Sequence, residues 1–386
     1  MWPKKSLISV SLVVILFSGG SGLADCPSAD LTNDCFVNLA DLAVFASQWL
    51  AGNPNIPEDM AYIPYGGFEM GRHLGDGYSD ELPLHPVMLD AFLMSRYEIT
   101  NQQYCDYLNS ALGSGSIYLA SDVVYGAGND QGYCDTSASS SDSQIVYSGG
   151  GFTVGTKDGR DMSDDPVVQV SWYGAVAYCN WRSSEEGKKQ CYDLSTWSCD
   201  FSKHGYRLAT EAEWEYAARG DKHSPYGRFP WGDTISHSQA NYYSYWTEDS
   251  PFYDYDVSPT ESFHPLWNGL NPDTSPVGFF DGAMKDKVDY NWPGSAASYQ
   301  TARGANGYGL YDMAGNVWEW CNDWYDSNYY DTSPYDNPIG PASGTKRVLR
   351  GGGWGDFANY CRVANRNYSV PDRRYNVCGF RVILHF

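Results

Sequence analysis

Two segments, Gly307–Trp320 (GYGLYDMAGNVWEW) and Arg347–Arg362 (RVLRGGGWGDFANYCR), concentrate what most constrains this chain: large rings set beside glycine, with few charges. Across all 386 residues aromatics reach 16% and glycine numbers 40, while charged residues are only 19%. Such a chain suits a loop-rich fold, in which rings fill the gaps and glycine permits tight turns. It suits neither disorder nor a coiled coil. The length allows one large core, or one core with a small appendage.

Lys and Arg number 25 against 47 Asp and Glu, a net charge of -22. A surface this acidic repels phosphate backbones and anionic membranes, so no nucleic-acid partner is expected. It fits a cation-rich exterior or a calcium-binding protein.

Residues 1–24 read as a signal peptide. Lys4 and Lys5 precede the apolar run Leu7–Phe17, and Gly22-Leu23-Ala24 supplies small residues for cleavage. That run is too short to cross a bilayer, and no later one is longer, so a secreted, extracytoplasmic chain without a transmembrane segment is expected. Export makes the ten cysteines disulfide material, with Cys26–Cys35 and Cys191–Cys199 as plausible short loops. No C-x-x-C pair is present, which argues against structural zinc.

Residues 25–51 form a small unit. Asp30, Thr32, Asp34, Asn38 and Asp41 place oxygen side chains at positions 1, 3, 5, 9 and 12 of a twelve-residue loop, the spacing by which such a loop surrounds calcium. A helix follows, with Leu42, Phe45 and Trp49 on one face. The unit resembles a single dockerin repeat, which implies a docking partner, although Cys35 stands where that loop turns on glycine. A disulfide-closed cap without calcium is the alternative.

Residues 52–59 read as a linker, and 60–386 as one domain. Helices are predicted over Ser171–Glu186 and from Thr210, whose hydroxyl and Glu213 make a capping box, to Gly220. Ser110–Asp165 and Phe279–Ala305 read as irregular loop insertions on one face, where specificity resides.

Four blocks resemble the formylglycine-generating enzyme, or sulfatase-modifying factor, family. They are Met60–Asn109; Pro166–Trp172 running into Ala177–Trp181; RLATEAEWEYAARG at Arg207–Gly220 with FPWGD at Phe229–Asp233; and the opening pair, closed by Gly379-Phe380-Arg381-Val382. The resemblance implies an α+β, loop-rich, C-type-lectin-related fold with little regular secondary structure and calcium in its loops. It also implies an activity: two cysteines that bind copper(I) and use oxygen to convert a sulfatase cysteine to formylglycine.

Position by position, the second copper cysteine matches Cys361 and the first matches Asp356. A carboxylate is a hard ligand and no substitute for a thiolate on copper(I), so copper is not expected. The serine of the family's oxygen pocket matches Gly353, whereas the pocket tryptophan is kept as Trp318. Cys361 is then expected in a disulfide, with a free thiol or a mixed site with a histidine as alternatives. The family's calcium ligands match Asp312, the carbonyls of Gly315 and Val317, and Glu319; a second site begins at Asn241 and the Tyr242 carbonyl, with its remaining ligands somewhere in Trp246–Asp273. A turn capped by Glu319 is the alternative to the first.

Two functions compete. One is a calcium-stabilised module that binds a protein or glycan through its insertions, with Tyr243, Tyr245, Trp246 and Tyr253 as candidate contacts. The other is an oxidase, either a divergent sulfatase activator or one using another metal such as non-heme iron.

Overall fold

The computed structural model describes residues 56–221 and 225–385. The signal segment, the calcium-loop residues Asp30 to Asp41 and the Cys26–Cys35 pair lie outside them.

Two small sheets organise the domain. The first runs in the order Met60–Ile63, Phe92–Ser95, Ile383–Leu384, Tyr206–Arg207, so the end of the chain is clamped between strands from its beginning and middle. The second runs Asn367–Ser369, Arg347–Arg350, Trp318–Trp324, Cys378–Gly379. Trp318–Trp324 is buried almost throughout, and it takes an antiparallel partner on one side and a parallel one on the other. Beside these sheets and three longer helices, the regular structure is a set of small sheets and hairpins of strands two to five residues long, in agreement with the expected loop-rich α+β class.

Both predicted helices form. Trp172–Glu185 starts at Ser171, whose hydroxyl accepts the Gly174 N–H. Glu211–Arg219 carries the Thr210–Glu213 capping box and stops at Gly220, where φ is 66°. A third helix, Asn101–Gly113, has the same device in Thr100 and Gln103. It packs with Trp172–Glu185 around Tyr104, Tyr107, Tyr178 and Phe380 to form one core cluster, while Glu211–Arg219 contributes Trp214 to a second.

Two expectations need correction. Ser110–Asp165 is not irregular: Ile117–Ala120, Val123–Gly126 and Gly132–Asp135 form a three-stranded sheet, and Ile145–Ser148 pairs with Gly151–Val154. Two-residue turns join these strands at Ser121-Asp122 and Gly149-Gly150, all four residues with positive φ, which is what tight hairpins demand. The second correction concerns sulfur. All eight described cysteines, Cys361 among them, are free thiols. Cys191 and Cys199 do not bond because the register sets Cys199 opposite Tyr192. Phe279–Ala305 does contain long irregular stretches, around the short hairpin Met284–Asp286 with Ser298–Gln300. Among the described residues no helix is long and apolar enough to cross a membrane.

Candidate functional site

The two glycine-rich segments meet. Gly315 N–H donates to Gly351 O (2.9 Å) and Trp354 N–H to Asn316 O (2.7 Å), while Glu319 pairs with Arg350 across the sheet. These bonds bring the turn before Trp318 against the loop that holds Asp356 and Cys361. Trp318 then reaches across: its indole N–H donates to Asp356 Oδ2 at 2.7 Å. The Gly353 amide donates to the same oxygen at 3.1 Å.

Asp356 is thus a settled, buried carboxyl. Burial pushes its pKa up to about 6, and its bonds from Trp318 and Gly353 restrain the rise. Gly353 belongs to the same arrangement, since a Cβ there would stand 3.2 Å from Asp356 Oδ2. A serine would crowd the carboxylate, so the two departures from the family pattern are coupled. Cys361 is fully buried, with its Sγ close against the Gly352 backbone. Burial raises its thiol well above the ordinary value, and the charges of Asp356 and Asp256 raise it further. Cys378, on the strand beside Trp318, is raised by burial and by Asp356 in the same way. Copper(I) needs paired thiolates. A carboxylate held by two donors in the place of one of the pair does not fit it.

The residues matched to calcium form a second cluster directly beneath. Asp312, Gly315 and Asn316 all have positive φ, which turns the chain sharply before Trp318. Asp312 Oδ2 accepts the Gly278 amide at 2.6 Å. Burial raises its pKa to about 6 against the pull of that bond and of Arg381, and Glu319 adds to the rise. Glu98, which sequence comparison did not single out, lies buried beside them and accepts the Asn316 side-chain amide (2.7 Å) and the Val317 N–H (3.2 Å). Burial, then Asp312 and Glu319, push its pKa well up. Glu319 itself takes both arms of Arg381 at 2.7 Å and the Trp214 indole at 2.7 Å.

Three buried carboxyls therefore share one guanidinium, and that excess of oxygen and charge is what a hard cation would neutralise. Among the described residues no three acidic, histidine or cysteine side chains gather closely enough to hold a metal alone. Backbone carbonyls would have to complete the shell, and those of Gly315 and Val317 accept no hydrogen bond among the described residues. Asp312 and these carbonyls are oxygen donors of the kind calcium takes, while Glu319 is engaged by Arg381 and Trp214.

Asn241 and Tyr242 lie against this turn, because Asn316 N–H donates to Asn241 O at 2.7 Å. Asn241 Oδ1 is buried without a partner. Within Trp246–Asp273 two acids stand nearby: Asp273, whose carbonyl accepts the Asn241 side-chain amide at 2.8 Å, and Asp256, which accepts the Tyr242 hydroxyl at 2.5 Å at the far end of that ring from its carbonyl. An orphaned oxygen such as Asn241 Oδ1 is one that a hard cation could satisfy. Tyr243 N–H in turn donates to Asp356 O (2.9 Å), tying this strand to the Asp356 loop. The tyrosines proposed as contacts are half-buried: Tyr243 packs on Phe263 and Phe357, and Tyr245 stacks on Phe357 at 4.9 Å. Trp246 is half-buried as well, and Tyr253 lines an open cleft.

The sulfatase-modifying factor enzyme 1-like domain matches residues 48–386. The chain is 30% identical over 341 residues to the formylglycine-generating enzyme of Bos taurus, covering 86% of this chain and 75% of that protein. It is 26% identical over 366 residues to the inactive C-alpha-formylglycine-generating enzyme 2 of Bos taurus, covering 89% and 93%. Among solved structures, Treponema denticola variable protein 1 superposes with a TM-score of 0.53 at 25% identity, covering 84% of this chain and 94% of that one. With a family match over nearly the whole described chain, and its motifs meeting in one place, the chain belongs to the sulfatase-modifying factor family.

Proposed function

We propose that this chain is an exported, calcium-stabilised binding module of its family that does not make formylglycine by the copper route. The observation that carries this reading is the Trp318–Asp356 hydrogen bond at the place where a copper thiolate would stand. The pocket tryptophan is retained, yet its N–H is committed to a carboxylate. Cys361 lacks the partner thiolate at position 356 that copper(I) would need, which supports the same reading. The likeness to a relative named as inactive agrees with it.

Calcium would be held by Asp312 and Glu319 with the Gly315 and Val317 carbonyls, and at a second site begun by Asn241 and the Tyr242 carbonyl. It would neutralise buried carboxyls and so fix the loops that carry the binding surface. That surface is the ring-lined side around Tyr243, Tyr245, Phe252 and Tyr253. The single dockerin-like segment at the N-terminus would dock a partner. The test is to incubate the full chain with copper(I), oxygen and a sulfatase-motif peptide, with Cys361→Ser as control. Aldehyde at the control level is expected; aldehyde clearly above it overturns the reading.

A further inference from the structure

A cleft of about 420 Å³ opens beside the Asp356 loop, lined by Tyr78, Phe252, Tyr253, Tyr255, Asp76 and Asn359. Phe252 is 55% exposed and Tyr78 42%, so ring faces are presented to solvent. Tyr253 stacks at 5.3 Å on the buried Tyr255, so of that pair it is Tyr253 that offers ring surface to the cleft. Aromatic faces with acid and amide groups at the edge suit the C–H faces and hydroxyls of sugars.

Asp76 also lines a second, smaller pocket of about 20 Å³. Around it stand Arg72, His73, Arg219, Arg228 and Arg362, a concentration of bases that is unusual in a chain of net charge -22. Arg228 lies over the Tyr255 ring at 4.2 Å, a further link between pocket and cleft. Arg219 is paired with Glu215 and Arg362 with Glu81, which leaves Arg72 and the Arg362 Nε as the groups with capacity to spare. Asp76 is divided between Arg228 (3.0 Å) and Arg362 (3.9 Å), and Arg72 has no ion pair among the described residues, its guanidinium donating to the Gly77 carbonyl. Arg362 is buried against Glu81, and its Nε has no hydrogen-bond partner. About 20 Å³ holds one water-sized atom. A single oxygen of a carboxylate or sulfate would fill it and accept from the unsatisfied guanidinium groups.

We propose that the ligand of this module is an acidic saccharide, its ring against Tyr78, Phe252 and Tyr253 and one oxygen of its acid group in the arginine pocket. This rests on the binding-module reading above and narrows its ligand. The overall negative charge disfavours a dense polyanion, so a short saccharide with isolated uronate or sulfate groups is the class.

The experiment is a panel of uronate-bearing and sulfated oligosaccharides, each beside its neutral counterpart, followed by calorimetry of the best pair on the full chain. Acetate, chloride and an acidic peptide serve as controls. The acidic member should bind at least about tenfold tighter than the neutral one, and Arg72→Gln should remove about that advantage. Phe252→Ala, at an exposed ring, should weaken both members alike. Neutral members binding equally, with Arg72→Gln silent, overturn the acid pocket but leave the binding-module reading intact. Free anions or acidic peptide binding as tightly as the saccharide also overturn the proposal, as does no acidic member binding at all. Aldehyde formation in the copper assay would sink the underlying reading instead.

Discussion

Trp318 and Asp356 are joined by a 2.7 Å hydrogen bond between the indole N–H and a carboxylate oxygen. The bond ties the first glycine-rich segment to the second, and it places a charged group where little water reaches. A buried carboxyl raised to about 6 from an ordinary 3.8 favours the protonated protein. Its stabilising effect is therefore present below about pH 4 and is lost as pH rises through 6.

Asp356→Asn should accordingly raise stability at pH 7.5 by about 1–3 kcal/mol, since each pKa unit is worth about 1.4 kcal/mol. The amide still accepts the Trp318 N–H. In saturating calcium, the variant's stability should change less between pH 4 and 6 than that of the wild type. Urea unfolding across that range checks it. An unchanged slope contradicts the assignment.

Arg381 is the one guanidinium among Glu98, Asp312 and Glu319, all buried. Removing one partner of such a pair leaves charge uncompensated and costs about 3–5 kcal/mol. Arg381→Met should lose about that much in calcium-free buffer, and calcium should restore part of it. Chemical denaturation with and without calcium reads both. A loss that calcium does not touch would place the cation elsewhere.

Chelating calcium should lower the melting temperature of the wild type and lower it less in Asp312→Asn, which removes a charged ligand. A cation held at a hundred times its dissociation constant contributes about 2.7 kcal/mol, so the shift should be several degrees. Scanning fluorimetry with a chelator measures it; no shift contradicts both proposed cation sites.

Gly315→Ala tests the junction of the two turns. At φ 85° a Cβ would stand 2.4 Å from Asn241 O, where the backbone has no room to yield. Both the backbone conformation and the contact oppose alanine, so the variant should lose more than about 1 kcal/mol. It should also need more calcium for half-maximal stabilisation. A variant as stable as wild type would mean that Asn241 and the Asp312 turn are not locked together.

How much of this was legible in the sequence depended on whether the signal was local. Ser171, Thr210, Glu213 and Gly220 announced their helix ends because caps act on neighbouring residues. Thr100 and Gln103 carried the same signal but stood inside a block read for its family resemblance, and their helix went unnoticed. Ser110–Asp165 looked irregular because its strands are only four residues long and its turns are rich in glycine, serine and aspartate. The Gly149-Gly150 pair was nonetheless a hairpin signature in plain view. In the site, Asp356, Cys361 and Asp312 were found by position in the motif. Glu98 was not, since what marks it is burial beside other acids, and that exists only in three dimensions. The cysteines misled because number and export predict pairing, whereas register decides it.

The most direct test of the central claim is the copper(I) held per chain, measured by competition with a thiol-mimicking chelator under reducing conditions. Well under one copper(I) is predicted for the wild type, with no difference in Cys361→Ser. One tightly held copper(I) per chain, lost in Cys361→Ser, would contradict the account.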